Sequence, residues 1–162
     1  MIAVVDQSKI IERIKNIQDP EIPVLTISEL GILREVVISD NKVEVSITPT
    51  YSGCPAMKAI ENEIVEVLRN EGIPDVKVKL VYSPAWTTDW LSDEAKEKLR
   101  VYGISPPLGS AVGSGSTQSR IIICPRCGSK DTSMVSMFGS TACKALYKCN
   151  SCLEPFDYFK CH

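Results

Sequence analysis

The C-terminal part of the sequence carries two short-spaced cysteine pairs, Cys124-Pro125-Arg126-Cys127 and Cys149-Asn150-Ser151-Cys152, separated by a hairpin-length stretch. Four thiolates in that pattern describe a tetrahedral metal site. Each C-x-x-C turn brings two sulfurs to one ion at about 2.3 Å, and two such turns fill the four positions that structural Zn²⁺ prefers. Gly128 directly follows the first pair, where a permissive backbone lets amide groups turn back toward the sulfurs. A rubredoxin-like iron site could use the same ligands, and two disulfides are the other arrangement. No signal-type segment opens the sequence, so a reducing cytoplasm is the expected compartment and disulfides are disfavoured. With sulfur in all four positions there is no opening for water or substrate. The zinc is therefore expected to be structural, stabilising a module below the size that usually folds unaided.

Upstream of the cysteines the pattern is that of an ordinary α+β domain. Ser8 is a candidate cap for a first helix with Ile10, Ile11, Ile14 and Ile17 on one face, ended by Asp19-Pro20. Residues 31–38 favour a strand, Ser39-Asp40-Asn41-Lys42 reads as a turn, and Val43, Val45 and Ile47 alternate with polar residues as in a half-buried strand. Gly53-Cys54-Pro55 opens a second helix with Met57, Ile60, Ile64, Val67 and Leu68 on one face, stopped by Gly72. A third strand falls within 74–82. Ser92-Asp93-Glu94 starts a last helix that ends in Lys96, Lys98 and Arg100 before Gly103. The order helix-strand-strand-helix-strand-helix implies a small mixed sheet with a crossover helix. The expected organisation is a domain over 1–104, a Pro/Gly/Ser/Thr-rich flexible linker over 105–120, and an all-β zinc ribbon over 121–162. In the ribbon, Cys143–Cys149 and Pro155–Cys161 are expected to form one hairpin.

Three groups of residues outside the zinc ligands could carry chemistry. Cys54 sits at a helix N-terminus, where free amides and the positive dipole end favour thiolate; the plainer reading is a small buried residue. Asp19 and Glu21 lie in a proline-flanked loop that presents two carboxylates rigidly, and Asp19 equally suits a helix stop bonded to local amides. Thr48, Thr50, Tyr51 and Ser52 lead into Cys54 and could line a polar pocket. Cys143 facing Cys161 across the expected hairpin, with His162 near, forms a candidate second thiol site for a metal or a redox-labile disulfide. Trp86 and Trp90 fall in one short loop, suited either to a partner interface or to covering the core.

Charge narrows the function further. Residues 1–119 hold 12 Lys/Arg against 17 Asp/Glu, and residues 121–162 hold 5 against 3. A Zn²⁺ ion with four thiolates contributes about −2, which brings the ribbon close to neutral and removes the footing for nucleic-acid binding. No apolar run is long enough to span a membrane. With a single His, no Gly-rich phosphate loop and no carboxylate–histidine cluster, independent enzymatic activity is not expected.

Asp19-Pro20-Glu21-Ile22-Pro23, Ile27-Ser28-Glu29-Leu30-Gly31-Ile32 and Thr48-Pro49-Thr50-Tyr51-Ser52-Gly53-Cys54-Pro55 resemble the small iron–sulfur assembly domain of bacterial SufT-like proteins. Over nearly its whole length the chain also resembles the PaaD (PaaJ) family of phenylacetate-degradation proteins, which are encoded with a multicomponent phenylacetyl-CoA epoxidase. That likeness rests on Pro84-Ala85-Trp86-Thr87-Thr88-Asp89-Trp90, on residues 102–107, and on 138–146 and 154–162. The resemblance implies a non-catalytic accessory or maturation factor that assists iron–sulfur cluster or iron assembly in the oxygenase. The alternative it implies is a stoichiometric structural subunit. Its partners would be the oxygenase component, the reductase component with its ferredoxin-type cluster, and general iron–sulfur assembly proteins. Cys54 would be the transient cluster or iron ligand with Asp19 and Glu21 nearby. One thiolate cannot supply the four ligands of a cluster, so a homodimer or a transient complex is expected.

Overall fold

The computed structural model describes residues 6–40, 42–108 and 121–160. Its elements are α1 (Gln7–Lys15), β1 (Leu33–Ser39), β2 (Lys42–Ile47), α2 (Ala56–Asn70), β3 (Asp75–Leu80), a 3₁₀ turn (Thr88–Trp90), α3 (Asp93–Tyr102), β4 (Ile104–Ser105), β5 (Thr132–Ser136), β6 (Lys144–Cys149) and β7 (Pro155–Phe159). Two compact units divide the chain, Met1–Trp86 and Thr87–His162. The sequence pattern assigns α3 to the first domain and Ser105 to the linker. Instead α3 belongs with the second unit, and Ser105 is a strand residue whose Oγ donates to the Ile123 carbonyl at 2.9 Å. A two-residue strand is invisible to periodicity, because only its partner defines it.

The first unit is a three-stranded mixed sheet in the order β1-β2-β3. β1 and β2 are antiparallel, and β3 runs parallel to β2 after the α2 crossover, as the element order requires. Val43, Val45 and Ile47 are buried on one face of β2, and Ile60, Ile64 and Leu68 on α2 are fully buried. The α1 cap is Asp6 rather than Ser8: its Oδ1 accepts from the Ser8 and Lys9 amides at 3.1 and 3.4 Å. Two capping residues stand two positions apart here, and propensity does not choose between them.

The segment between α1 and β1 is irregular yet held tightly. Thr26 and Glu29 form a reciprocal capping box: Thr26 Oγ1 accepts from the Glu29 amide at 3.1 Å, and Glu29 Oε2 from the Thr26 amide at 2.9 Å. This single turn ends at Gly31, whose φ of 74° is the left-handed conformation that glycine supplies at little cost. Trp86, the last residue of the first unit, is buried and donates its indole N–H to the Leu30 carbonyl at 2.7 Å. Of the two readings of the tryptophan loop, Trp86 therefore takes the core-covering one, while Trp90 is half-buried in the 3₁₀ turn.

The second unit holds a four-stranded sheet in the order β4-β7-β6-β5. Its β6–β7 hairpin pairs Lys148 with Pro155, one residue away from the expected register that set Cys149 opposite Pro155. Cys149 N–H closes the turn on the Glu154 carbonyl at 3.0 Å, so the turn inside that bond is 150–153, one residue shorter than anticipated, with Leu153 at φ 65°. A small apolar cluster of Ile122, Ala145, Phe156 and Tyr158 includes the sulfur-bearing residues Cys124 and Cys149. Replacing Trp86 with Phe leaves the buried Leu30 carbonyl without its donor. The expected cost is about 1–3 kcal/mol of first-unit stability, read as a shift of the urea midpoint with an unchanged slope.

Candidate functional site

Asp19 is 5% exposed, and its role in the structure is local. Its Oδ1 accepts from the Glu21 and Ile22 amides, both at 2.8 Å, and its own N–H reaches the Leu25 carbonyl at 2.9 Å. That is the helix-stop geometry foreseen as the plain reading, with Pro20 and Pro23 stiffening the turn. It also fixes the Asp19 carboxylate and the backbone from which Glu21 projects.

Cys54 follows β2 through the Thr48–Gly53 loop. Thr48 is buried and donates its amide to the Ile32 carbonyl at 2.9 Å, Gly53 turns the chain at φ 76°, and Cys54 N–H meets the Tyr51 carbonyl at 3.3 Å. Thr48, Pro49, Thr50, Tyr51 and Ser52 line a cavity of about 200 Å³ with Tyr82, Ala85 and Trp86, as the polar run before Cys54 suggested. For the thiol itself the structure favours the plainer of the two readings, a buried residue. Burial pushes the Cys54 thiol above its ordinary value; the Ala56 amide pulls it down, the Glu21 carboxylate pushes it up, the Tyr51 side chain opposes, and the Asp19 carboxylate adds a further push up. The helix start does act on the sulfur, but desolvation and two negative charges outweigh it. The surroundings of Cys54 thus favour the protonated thiol over the thiolate.

The ribbon sulfurs behave differently. The ligand atoms of Cys124, Cys127, Cys149 and Cys152 all lie within 4.8 Å of one another, with Cys124–Cys152 at 3.8 Å and Cys127–Cys149 at 3.6 Å between sulfurs. Gly128, at φ 75°, sends its N–H back to the Cys124 carbonyl at 3.0 Å, closing the first turn. The Cys152 amide, 3.5 Å from the Cys149 sulfur, works against burial and, together with the Ser151 amide and neighbouring thiols, brings the Cys149 thiol down to about 6. At Cys152 the Glu154 amide pulls the same way, but burial and the three surrounding sulfurs outweigh it and push the thiol up to about 12. Four sulfurs this close cannot all ionise without a cation among them. A divalent ion relieves that conflict, and the all-sulfur tetrahedral donor set fits zinc.

Among the described residues, these four cysteines form the one convergent group of three or more potential metal ligands; Cys54, Asp19 and Glu21 are not preassembled into another. For the candidate second thiol site, Cys161 and His162 lie outside the described residues. Cys143 is buried, its sulfur 3.0 Å from Thr141 Oγ1, and its carbonyl accepts from Lys160 N–H at 3.0 Å, so the register sets Cys143 against Lys160. No helix among the described residues is long and apolar enough to cross a membrane.

The mixed sheet of the first unit and the four-cysteine site of the second correspond to two known domain families. The family described as "Iron-sulfur cluster assembly protein" matches residues 7–81, and "PaaD zinc beta ribbon domain" matches residues 110–160. The chain belongs to the PaaD family: it is 51% identical, over 91% of its length and 88% of the relative's, to an Escherichia coli K12 protein whose name reads "Putative 1,2-phenylacetyl-CoA epoxidase" and marks it as one of that enzyme's subunits. It is also 33% identical to a Porphyromonas gingivalis "Fe-S protein maturation auxiliary factor", over 57% of this chain and 90% of that protein. A crystal structure of a DUF59 domain of unknown function from Bacillus anthracis superposes with a TM-score of 0.52 at 26% identity, over 57% of this chain and 89% of that one.

Because the Glu21 carboxylate helps hold the Cys54 proton on, Glu21→Gln is expected to move the midpoint of pH-dependent alkylation of Cys54 to lower pH. The wild-type midpoint itself is expected above that of a free cysteine, because burial disfavours the thiolate. Stripping the ribbon metal with a chelator is expected to remove hydrogen-exchange protection from β6 and β7 while α2 keeps its own. The lost binding free energy is of the order of 10–16 kcal/mol for structural zinc in small modules.

Proposed function

We propose that this chain is a non-catalytic maturation factor that passes iron or an iron–sulfur cluster to a component of a phenylacetyl-CoA epoxidase system. The observation that carries the reading is the setting of Cys54: a thiol held protonated by burial and by the Glu21 and Asp19 carboxylates, at the start of α2. A metal cargo displaces the thiol proton on arrival, and the adjacent negative charges favour a cation there. The raised proton affinity then competes for the sulfur when the cargo leaves. Such a group takes a metal and gives it up. A resident cofactor site would hold its thiolate ready and bring its other ligands.

Cys54 supplies one ligand, and the rest come from the client or from a second copy of the chain, since a cluster requires about four. The ribbon takes no part in this exchange, because its four positions are filled by sulfur. The proposed sites are accordingly Cys54 for transfer, Glu21 and Asp19 for tuning it, and Cys124, Cys127, Cys149 and Cys152 for zinc. The competing role of a stoichiometric structural component relies on the Trp86/Trp90 loop as a docking surface, and the burial of Trp86 against Leu30 takes its first anchor away.

The test is iron and acid-labile sulfide per flavin in the epoxidase reductase, purified anaerobically from cells carrying wild type, Cys54→Ser or no copy of this chain. Cluster content is expected to fall in the last two, with Cys54→Ser retaining its zinc and its fold. A fully loaded reductase from the Cys54→Ser cells overturns the reading.

A further inference from the structure

The outer strand of the ribbon is built unlike the rest of the surface. Met134, Val135, Met137 and Phe138 are 54%, 60%, 60% and 63% exposed, four large apolar side chains within five consecutive positions. From Thr132 to Cys143 no residue is charged and none is proline. β5 is also an edge, paired only with β6. Edges of this kind are normally protected by lysine, proline or a covering loop, and contiguous exposed apolar patches normally mark contacts.

The hydrogen-bond pattern shows what the edge offers. Asn150 N–H donates to the Asp131 carbonyl at 2.9 Å, and Ser133 is in register with Lys148. Bonded pairs alternate in an antiparallel ladder, so Ser133 turns its backbone groups toward β6 while Thr132 and Met134 turn theirs outward. The Thr132 amide is taken by the Lys130 carbonyl at 3.1 Å, which leaves the Met134 N–H and C=O and the Thr132 carbonyl as the outward groups. Lys160 borders the patch, its Nζ 3.0 Å from the Met137 carbonyl and 4.6 Å from the Phe138 ring centroid, and so fixes one end of the apolar strip.

From this geometry we infer that β5 is a self-pairing edge, through which two copies of the chain associate by antiparallel β5–β5 contact about a two-fold axis near Met134. Self-contact sets a patch against itself, which is unfavourable when it holds like charges and free of that cost when it holds none. The ribbon, close to neutral once its zinc site is counted, opposes association little. Flexible methionine side chains adapt to the facing copy. The register shift between Met134 and Ser136 shortens the straight part of the edge, so few backbone bonds form and the side chains supply most of the contact. A patch of a few hundred Å² per copy falls below the ~800 Å² per partner of a standard stable interface. The association is therefore reversible, in the micromolar-to-millimolar range. It is independent of any cargo on Cys54 and goes beyond the role proposed for that residue.

Sedimentation of the zinc-loaded full chain across that concentration range tests the inference. The average mass is expected to climb from the 17.8 kDa of one chain toward twice that value, while Val135→Lys combined with Met137→Lys stays at one chain throughout. Both substituted positions are exposed, and one zinc per chain with an unchanged circular dichroism spectrum confirms that the variant is folded. In the wild type, exchange of the Met134 amide is expected to slow as concentration rises. Wild type at the mass of one chain at every concentration, a variant that associates as wild type does, or a Met134 amide indifferent to concentration each overturns it.

Discussion

The convergence of four sulfurs is the constraint on which the second half of the molecule depends. Ile122, Ala145, Phe156 and Tyr158 are too few to hold a sheet together unaided, and two of the four metal-ligating cysteines are counted among the buried residues of that cluster. A bound metal would reinforce this small core by tying the turn before β5 to the turn between β6 and β7, which Ile122, Phe156 and the hydrogen bonds of Asn150 to Asp131 already bring together. The closed donor set that makes it a good fastener also excludes it from chemistry, which leaves the reactive possibilities with the first unit.

There the governing fact is that one loop sets the electrostatics of another. Asp19 is placed by two amide bonds to its own carboxylate, Glu21 follows from that turn, and both charges act on a sulfur that lies on a different segment of the chain. A helix N-terminus alone would have made Cys54 acidic. The surroundings reverse the sign and favour the protonated thiol.

How much of this was legible in the sequence follows from which forces act locally. The C-x-x-C pairs fix a metal site because the turn itself brings the sulfurs together, and the alternation of Val43, Val45 and Ile47 fixes a half-buried strand because the pleat has period two. The Cys54 position was legible, as was the alternative of a small buried residue; that burial, aided by two carboxylates from another loop, outweighs the helix start was not, because it depends on tertiary packing. The ribbon register failed by one residue at Leu153, a non-glycine in the left-handed region, which turn chemistry does not announce. β4 escaped notice because two residues carry no pattern, and Asp6 displaced Ser8 because both are good caps.

The bond from the Trp86 indole to the Leu30 carbonyl has one more implication. It closes the first unit upon itself at the last residue of that unit, whose loop and cap hydrogen bonds lie within residues 6–86. The bond spans 56 positions of the chain, so the turn at Leu30 and the end of the first unit are expected to form and open together, as one cooperative body rather than as a core with a loose tail.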